Sequence, residues 1–487
     1  MRDDEIRRHL TQMNPWWRAA VSGTSPTAWV DQHRVFRDLG RHDMGYRSPV
    51  LDDIANGPVS DQLVVLSGPR RIGKSVTLLQ TAERLCSRAD VDPRQVIHVP
   101  CDGMTTQDLR RVLVLGRTLT ASVDRETPTP RVWLLDEVSA ILGWSAILKG
   151  ARDNTDFGDD TVVATGSRWA EGEDIEGNLM AGRAGSGTRR WRTLYPMSFR
   201  EFTSATAPEL GLPDRLHPAE LQSGVARSAL ENYGFFVDDF DLAWQAYLTT
   251  GGFPRAVAEH SQLGAVTDSF IADLEAWLHR DVEPAASPES VPLLLNALAT
   301  RSSSPFSVSS AAQELSYGKG VLDLRLRRLI ASHALVRCPR REAGQIVPGA
   351  QAKYYLADPI LSWLPSRRRS GLPAPDMTQL TESIIGVTQA RAIDVIDEGR
   401  LPHGDTIGYV RTSNDKEIDL GPVVVPTSTG AGMTVPLESK WVDHGRKSEA
   451  RTISAKFDAG ILATKSVLDL EGRVWAVPAP LVALMLL

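Results

Sequence analysis

Eight consecutive residues set the first chemical possibility. Gly68-Pro69-Arg70-Arg71-Ile72-Gly73-Lys74-Ser75 fits the pattern G-x-x-x-x-G-K-[ST] in full. Glycines at both ends let backbone N–H groups turn inward around a β-phosphate, and a helix starting at Lys74 adds its partial positive charge. Lys74 has the reach and charge for β/γ-phosphate oxygens, the Ser75 hydroxyl suits Mg²⁺, and Val76 continues the helix beside the nucleotide. A second pattern lies downstream. The apolar run Val132-Trp133-Leu134-Leu135 ends in Asp136-Glu137, so a buried strand delivers two carboxylates to a sheet edge. Asp136 is the candidate to hold Mg²⁺ through water, and Glu137 the candidate to polarise the attacking water. Thr165-Gly166-Ser167 closes the next apolar run, which makes Ser167 a candidate to bond that water or the γ-phosphate; an ordinary turn hydroxyl is the alternative.

A separate constellation lies near the C-terminus. Glu382 falls on a helical stretch, Asp419 ends the strand-like Glu417–Leu420, and Glu438-Ser439-Lys440 ends the run from Val435. Carboxylates at a sheet edge can hold Mg²⁺, which activates water and offsets charge on phosphate. Lys440 lies two residues from Glu438 and so on the same side of a strand, able to orient a nucleophile. The alternative is a structural domain with a salt-bridge cluster. A third candidate is the helix Gly320–Ser332: Leu322, Leu326, Leu329 and Ile330 share one face, while Arg325, Arg327 and Arg328 lie largely off it. That division suits contact with DNA phosphates, and equally a solvated basic helix.

The elements that must position these groups follow from the pattern. Residues 1–60 read as helix and loop, with the adjacent tryptophans of Asn14-Pro15-Trp16-Trp17 as a packing anchor on the next domain. Apolar runs at 61–67, 96–99, 131–135 and 161–164, alternating with helical stretches, predict a mainly parallel sheet covered on both faces, over 61–205. Residues 206–285 are helical. Residues 286–364 have the outline of a winged helix-turn-helix, with strands at 335–337 and 353–356. Residues 365–375, rich in proline, arginine and serine, read as a linker, and 376–487 as an α/β unit.

Composition bounds the rest. The 487 residues exceed one hydrophobic core. A net charge of -6 excludes a polycation, so nucleic-acid contact must come from local basic patches. Three cysteines without paired spacing fit a reducing cytoplasm. The charged N-terminus leads into no signal-type core, and no apolar run has the length of a membrane span; the apolar 481–487 stretch suits a buried terminal helix or strand.

Taken in order, Asn14-Pro-Trp-Trp, the 68–75 loop, Leu134-Leu-Asp-Glu, the Leu179–Arg183 segment, Leu194–Phe202 (LYPMSFREF) and Tyr247–Val257 (YLTTGGFPRAV) resemble the AAA-type P-loop ATPases of bacteria and archaea with an appended restriction-endonuclease-like domain. The resemblance implies an α/β fold: an AAA-type core with helical lid, a winged helix, and a C-terminal domain of the PD-(D/E)XK type. It implies ATP and Mg²⁺ as cofactors, DNA as partner, and an ATP-promoted homo-oligomer. Arg255 matches the lid arginine presented to the γ-phosphate, and Arg183 is a candidate finger for a neighbouring subunit, with Arg190 second. Replication-type AAA proteins carry Asn where Ser167 stands, a departure at the sensor position. The expectation is an ATPase coupling nucleotide state to DNA binding and Mg²⁺-dependent cleavage through Asp419, Glu438, Lys440 and Glu382. The alternatives are an ATP-switched DNA-binding or signalling protein with a silent nuclease-like domain, or a protein-remodelling ATPase.

Overall fold

The computed structural model describes residues 1–121, 129–167, 179, 190–396, 406–442 and 446–486. The chain forms two compact units, Met1–Tyr195 and Pro196–Leu487.

The first unit is built on five parallel strands: β1 (Gln62–Ser67), β2 (Val96–Pro100), β3 (Val132–Asp136), β4 (Thr161–Gly166) and β5 (Trp191–Thr193), in the order β2-β3-β4-β1-β5. The four expected strands are present. The fifth was not foreseen, because three residues give too short a hydrophobic signal. Strands β1, β3 and β4 are buried almost throughout, which explains their continuous apolar runs. Since β1 lies beside β4 and β4 beside β3, the ends of these strands bring Gly68, Asp136 and Ser167 to one edge.

Strand β2 ends the sheet, and its free backbone groups are covered by the N-terminal motif. Asn14 Nδ2 donates to His98 O at 2.9 Å, and His98 N donates to Asn14 Oδ1 at 2.6 Å. The Trp16 and Trp17 indoles both donate to Val96 O, at 2.8 and 2.9 Å. These residues anchor the unit's own edge strand.

The second unit opens with helices Phe199–Thr206, Gly224–Tyr233, Val237–Thr250, Pro254–Leu263 and Asp268–Val282. Three more helices, Ser290–Ala299, Val308–Glu314 and Lys319–Ala331, precede β6 (Leu335–Cys338), a small hairpin β7 (Arg341–Glu342) and β8 (Gln345–Ile346), and β9 (Lys353–Leu356), which pairs antiparallel with β6. The stretch expected to be a linker begins as helix: Pro359–Arg368 runs through it, with Leu364 and Pro365 buried. Arg367 pairs with Asp268 at 2.6 Å and Arg368 with Glu275 at 2.7 Å, so neither serves as a free basic patch. The Leu194–Phe202 motif, expected to close the core domain, spans the boundary between the units.

Helix Met377–Ile396 is buried along most of its length. Beyond it come β10 (Val410–Arg411) antiparallel to β11 (Glu417–Ile418), and a hairpin of β12 (Val424–Thr427) and β13 (Gly430–Met433), whose second strand was not expected. Then β14 (Leu437–Ser439), β15 (Gly460–Thr464) and β16 (Val474–Pro478) form a parallel sheet. A single antiparallel bridge, Leu420 to Leu437, ties β11 to β14. Helix Ala479–Leu486 is buried, as its apolar sequence requires.

Two charged groups hold the helical part together. Arg325, expected to face DNA, turns inward: it pairs with the buried Glu283 at 3.5 Å and stacks over Tyr317 at 3.9 Å. Arg328 donates to Val282 O at 3.3 Å, and only Arg327 of the three stands mostly in solvent, beside Asp323. Arg325 and Arg328 are three apart and share a helix face, whereas Arg327, two from Arg325, points to another, so one basic helix splits between core and water. Asp358 caps helix Pro359–Arg368 through Ile360 N at 3.0 Å and accepts from Gly252 N at 2.8 Å, tying the Gly-Gly turn of Tyr247–Val257 to that helix. Burial pushes the Asp358 carboxyl up to about 6, against these two hydrogen bonds.

Arg325→Ala strands a buried carboxylate and is expected to cost about 3 kcal/mol in the urea unfolding of the second unit, whereas Arg327→Ala leaves it nearly unchanged. Asp358 gives a pH signature. Its folded pKa lies above the unfolded 3.8, so its contribution is complete below about 4 and is lost as pH rises through about 6. The stability of Asp358→Asn relative to wild type should therefore rise across that window; a difference independent of pH counts against the assignment.

Candidate functional site

The 68–75 loop adopts the geometry its glycines permit. Gly68 has φ +152°, and a Cβ there would lie 2.5 Å from Leu194 O. Arg71 and Gly73 also take positive φ, at 66° and 105°, so the loop curls before helix Lys74–Cys86 begins. Lys74 is buried. Its Nζ donates to Gly68 O and Pro69 O at 3.0 Å each and lies 3.5 Å from Glu137 Oε1. Burial lowers its pKa, an effect that the Glu137 and Asp136 charges oppose.

The acidic pair is fixed from β4. Thr165 Oγ1 donates to Asp136 Oδ1 at 2.9 Å and accepts from Glu137 N at 2.9 Å. Ser167 Oγ donates to Glu137 Oε2 at 3.0 Å. Glu137 itself is left-handed, with φ 54°, a conformation disfavoured for a residue with a side chain and held here by those bonds. Burial raises the Asp136 pKa, opposed by hydrogen bonds from Ser75 and Thr165. Sequence reasoning singled out Lys74, Ser75, Asp136, Glu137 and Ser167, and the fold brings all five together. It missed Thr165, which sits two residues before Ser167 on the same side of the strand. The Ser75 hydroxyl and Asp136 carboxylate are adjacent hard oxygen donors, a set that fits Mg²⁺.

The arginines stand differently. Arg183 lies outside the described residues. Arg192 is buried on Asp53, with Nη2 to Oδ2 at 2.7 Å, so it holds β5 in place and does not reach outward. Arg255, in the second unit, pairs with Glu259 at 2.8 Å and Asp273 at 3.0 Å.

The C-terminal constellation is also assembled. Glu382 comes from helix Met377–Ile396, Asp419 follows β11, and Glu438 lies on β14 with Lys440 just beyond. Asp419 N donates to Glu438 Oε2 at 3.1 Å, Ser439 N donates to Asp419 Oδ2 at 2.9 Å, and Lys440 Nζ meets Glu438 Oε1 at 2.9 Å. An unforeseen residue stands among them. Lys353, on β9, is fully buried and places Nζ 2.8 Å from Glu382 Oε1, 2.6 Å from Glu417 Oε1 and 2.8 Å from Asp419 Oδ1. Tyr355, two residues on, donates to Glu382 Oε1 at 3.1 Å. Burial raises the pKa of Glu382 and Glu438, and the Asp419 charge adds to it. For Asp419 burial acts upward too, but Lys353 and Lys440 outweigh it and hold the carboxyl below its usual value.

These residues do not fit the Mg²⁺ expected at Glu382, Asp419 and Glu438. Glu382 and Asp419 already face the Lys353 ammonium, and Glu438 faces that of Lys440. A divalent ion about 4 Å from either ammonium would be repelled by about 8 kcal/mol at an effective dielectric of about 20. Among the described residues no group of three His, Cys, Asp or Glu side chains is arranged to hold a metal. No described helix is long and apolar enough to cross a membrane.

Comparison with known proteins agrees with the first unit's sheet. Residues 60–203 match the family model of an AAA domain. Among solved structures, the RuvB Holliday junction branch migration motor of Thermotoga maritima and one point variant of it are similar at 14% identity and TM-score 0.28, covering 66% of this chain and 93% of theirs. A second variant gives 16% identity and TM-score 0.24, over 65% and 93%. Scores of that size carry no inference about architecture or partner. No curated protein matches the chain.

Proposed function

We propose that the chain binds ATP and hydrolyses it at the 68–75 loop. One arrangement carries this reading: the Lys74 ammonium rests on the Gly68 and Pro69 carbonyls at 3.0 Å, beside a Glu137 carboxylate that Ser167 holds at 3.0 Å. An ammonium so held exchanges carbonyl oxygens for β/γ-phosphate oxygens when nucleotide enters. Backbone N–H groups of Arg70–Val76 then receive the phosphates. Mg²⁺, held by Ser75 and Asp136, would offset charge on those oxygens. Glu137 takes a hydrogen bond from the attacking water, while Thr165 and Ser167 fix its direction. The cation opposite the γ-phosphate is assigned by resemblance to Arg183 or Arg255, Arg183 acting between subunits of a homo-oligomer.

The same reading gives the second unit a DNA partner, with the 286–364 segment as a winged helix. Of its basic helix, Lys319 and Arg327 are the exposed cations. Of the two readings of the C-terminal segment, Mg²⁺-dependent cleavage and a nuclease-like fold without cleavage, Lys353 favours the second.

Lys74→Ala should abolish nucleotide binding, and Glu137→Gln should keep binding while lowering phosphate release at least 100-fold, about 3 kcal/mol of barrier. Thr165→Val should keep binding and slow release less. Unchanged turnover in Glu137→Gln removes it as the water activator. For DNA, replacing Lys319 and Arg327 together with alanine should weaken binding to all duplexes alike and reduce the slope of log affinity against log salt by about 1–2. An unchanged slope moves the contact elsewhere.

A further inference from the structure

We propose that Lys353 is the built-in cation of the C-terminal carboxylate centre and takes the place of a divalent metal, so that the centre is a metal-independent joint and not a hydrolytic site. The proposal rests on the nuclease-like reading of this segment, and departs from it over the metal.

The geometry carries it in three steps. An ammonium has three N–H donors and no acceptor. Lys353 donates to Glu382 of the long helix and to Asp419 just after β11, both at 2.8 Å, and pairs with Glu417 of β11 at 2.6 Å. The group is therefore satisfied with no place left for water or substrate, and its side chain has 0% exposure.

Next, the ammonium cannot swing aside. Its strand pairs with β6 over four residues, Cys338 facing Lys353. Tyr355 on the same strand packs so closely on helix Met377–Ile396 that a Cβ at Gly386 would lie 2.7 Å from its ring. The Tyr355 hydroxyl reaches the same Glu382 oxygen as Lys353. Tyr409, just before β10, donates to Gln351 O at 2.8 Å, so the β6–β9 pair is stitched to the C-terminal strands from a further side.

Finally, the other oxygens of Asp419 and Glu438 are taken. Asp419 Oδ2 accepts from Ser439 N at 2.9 Å, and Glu438 is taken by Asp419 N at 3.1 Å and Lys440 at 2.9 Å. What a metal would do between helix, β11 and β14, Lys353 and Lys440 do with hydrogen bonds. Removing the Lys353 side chain leaves the Glu382, Glu417 and Asp419 carboxylates without the cation they share, and a small shift of those side chains would let a divalent ion take its place.

The test is Mn²⁺ titration of the full-length protein without nucleotide, followed by the paramagnetic resonance signal of free Mn²⁺. The absence of nucleotide separates this result from whether the first unit hydrolyses ATP. Wild type should show no Mn²⁺ site that depends on Asp419. Lys353→Met and Lys353→Ala, checked for folding by circular dichroism, should each gain one site per chain, lost again when Asp419→Asn is added. A wild-type site removed by Asp419→Asn overturns the proposal, and so does a folded Lys353 variant that gains none. If both variants unfold, the wild-type titration decides alone: no Asp419-dependent site upholds the internal cation, and a site of that kind refutes it.

Discussion

Four carboxylates, from Glu382, Glu417, Asp419 and Glu438, meet in the interior of the second unit, and without compensation their repulsion would drive the surrounding elements apart. The Lys353 ammonium removes that constraint, helped by Lys440. Its own pKa shows the balance: burial acts to lower it, and the surrounding acids raise it well above its ordinary value. A charge held this way costs much desolvation, and the return comes as definition of geometry more than as net stability. The long buried helix, the β6–β9 pair and the β11 segment meet at this one group.

The first unit uses charge in the opposite manner. Lys74 is buried as well, but its partners are two loop carbonyls and one carboxylate at 3.5 Å, so its pKa falls. One lysine is saturated by anions and closed. The other is under-compensated and turned toward the place where a polyanion would add charge. The same residue type thus serves as a permanent rivet in one unit and as an unsatisfied receptor in the other. The difference lies in how many carboxylates the fold brings within 3 Å.

Much of the first unit was legible because its signals are local. The loop pattern encodes a backbone shape, and the apolar runs encode buried parallel strands, so Lys74, Asp136 and Glu137 could be named without knowing the fold. Thr165 was missed because its role is a pair of hydrogen bonds across to β3, which no spacing reveals. In the second unit the carboxylates were legible as an ordered set, but Lys353 was not. In Lys353-Tyr-Tyr-Leu it reads as the solvent-facing start of a wing strand, and its partners lie 29 and 66 positions away. Arg325 failed for the same reason: helical periodicity separates faces, but it does not say that Glu283 waits inside one of them.

The covering of β2 has a consequence for assembly. A sheet with an open edge can lengthen by taking up a strand from another molecule. Here the Asn14 amide imitates a peptide group, and two indoles occupy the next carbonyl, so side chains close the sheet where a sixth strand would otherwise dock. Any contact between copies of this unit on that flank must then be made by helix and side-chain surfaces, and can be broken and remade without opening the sheet.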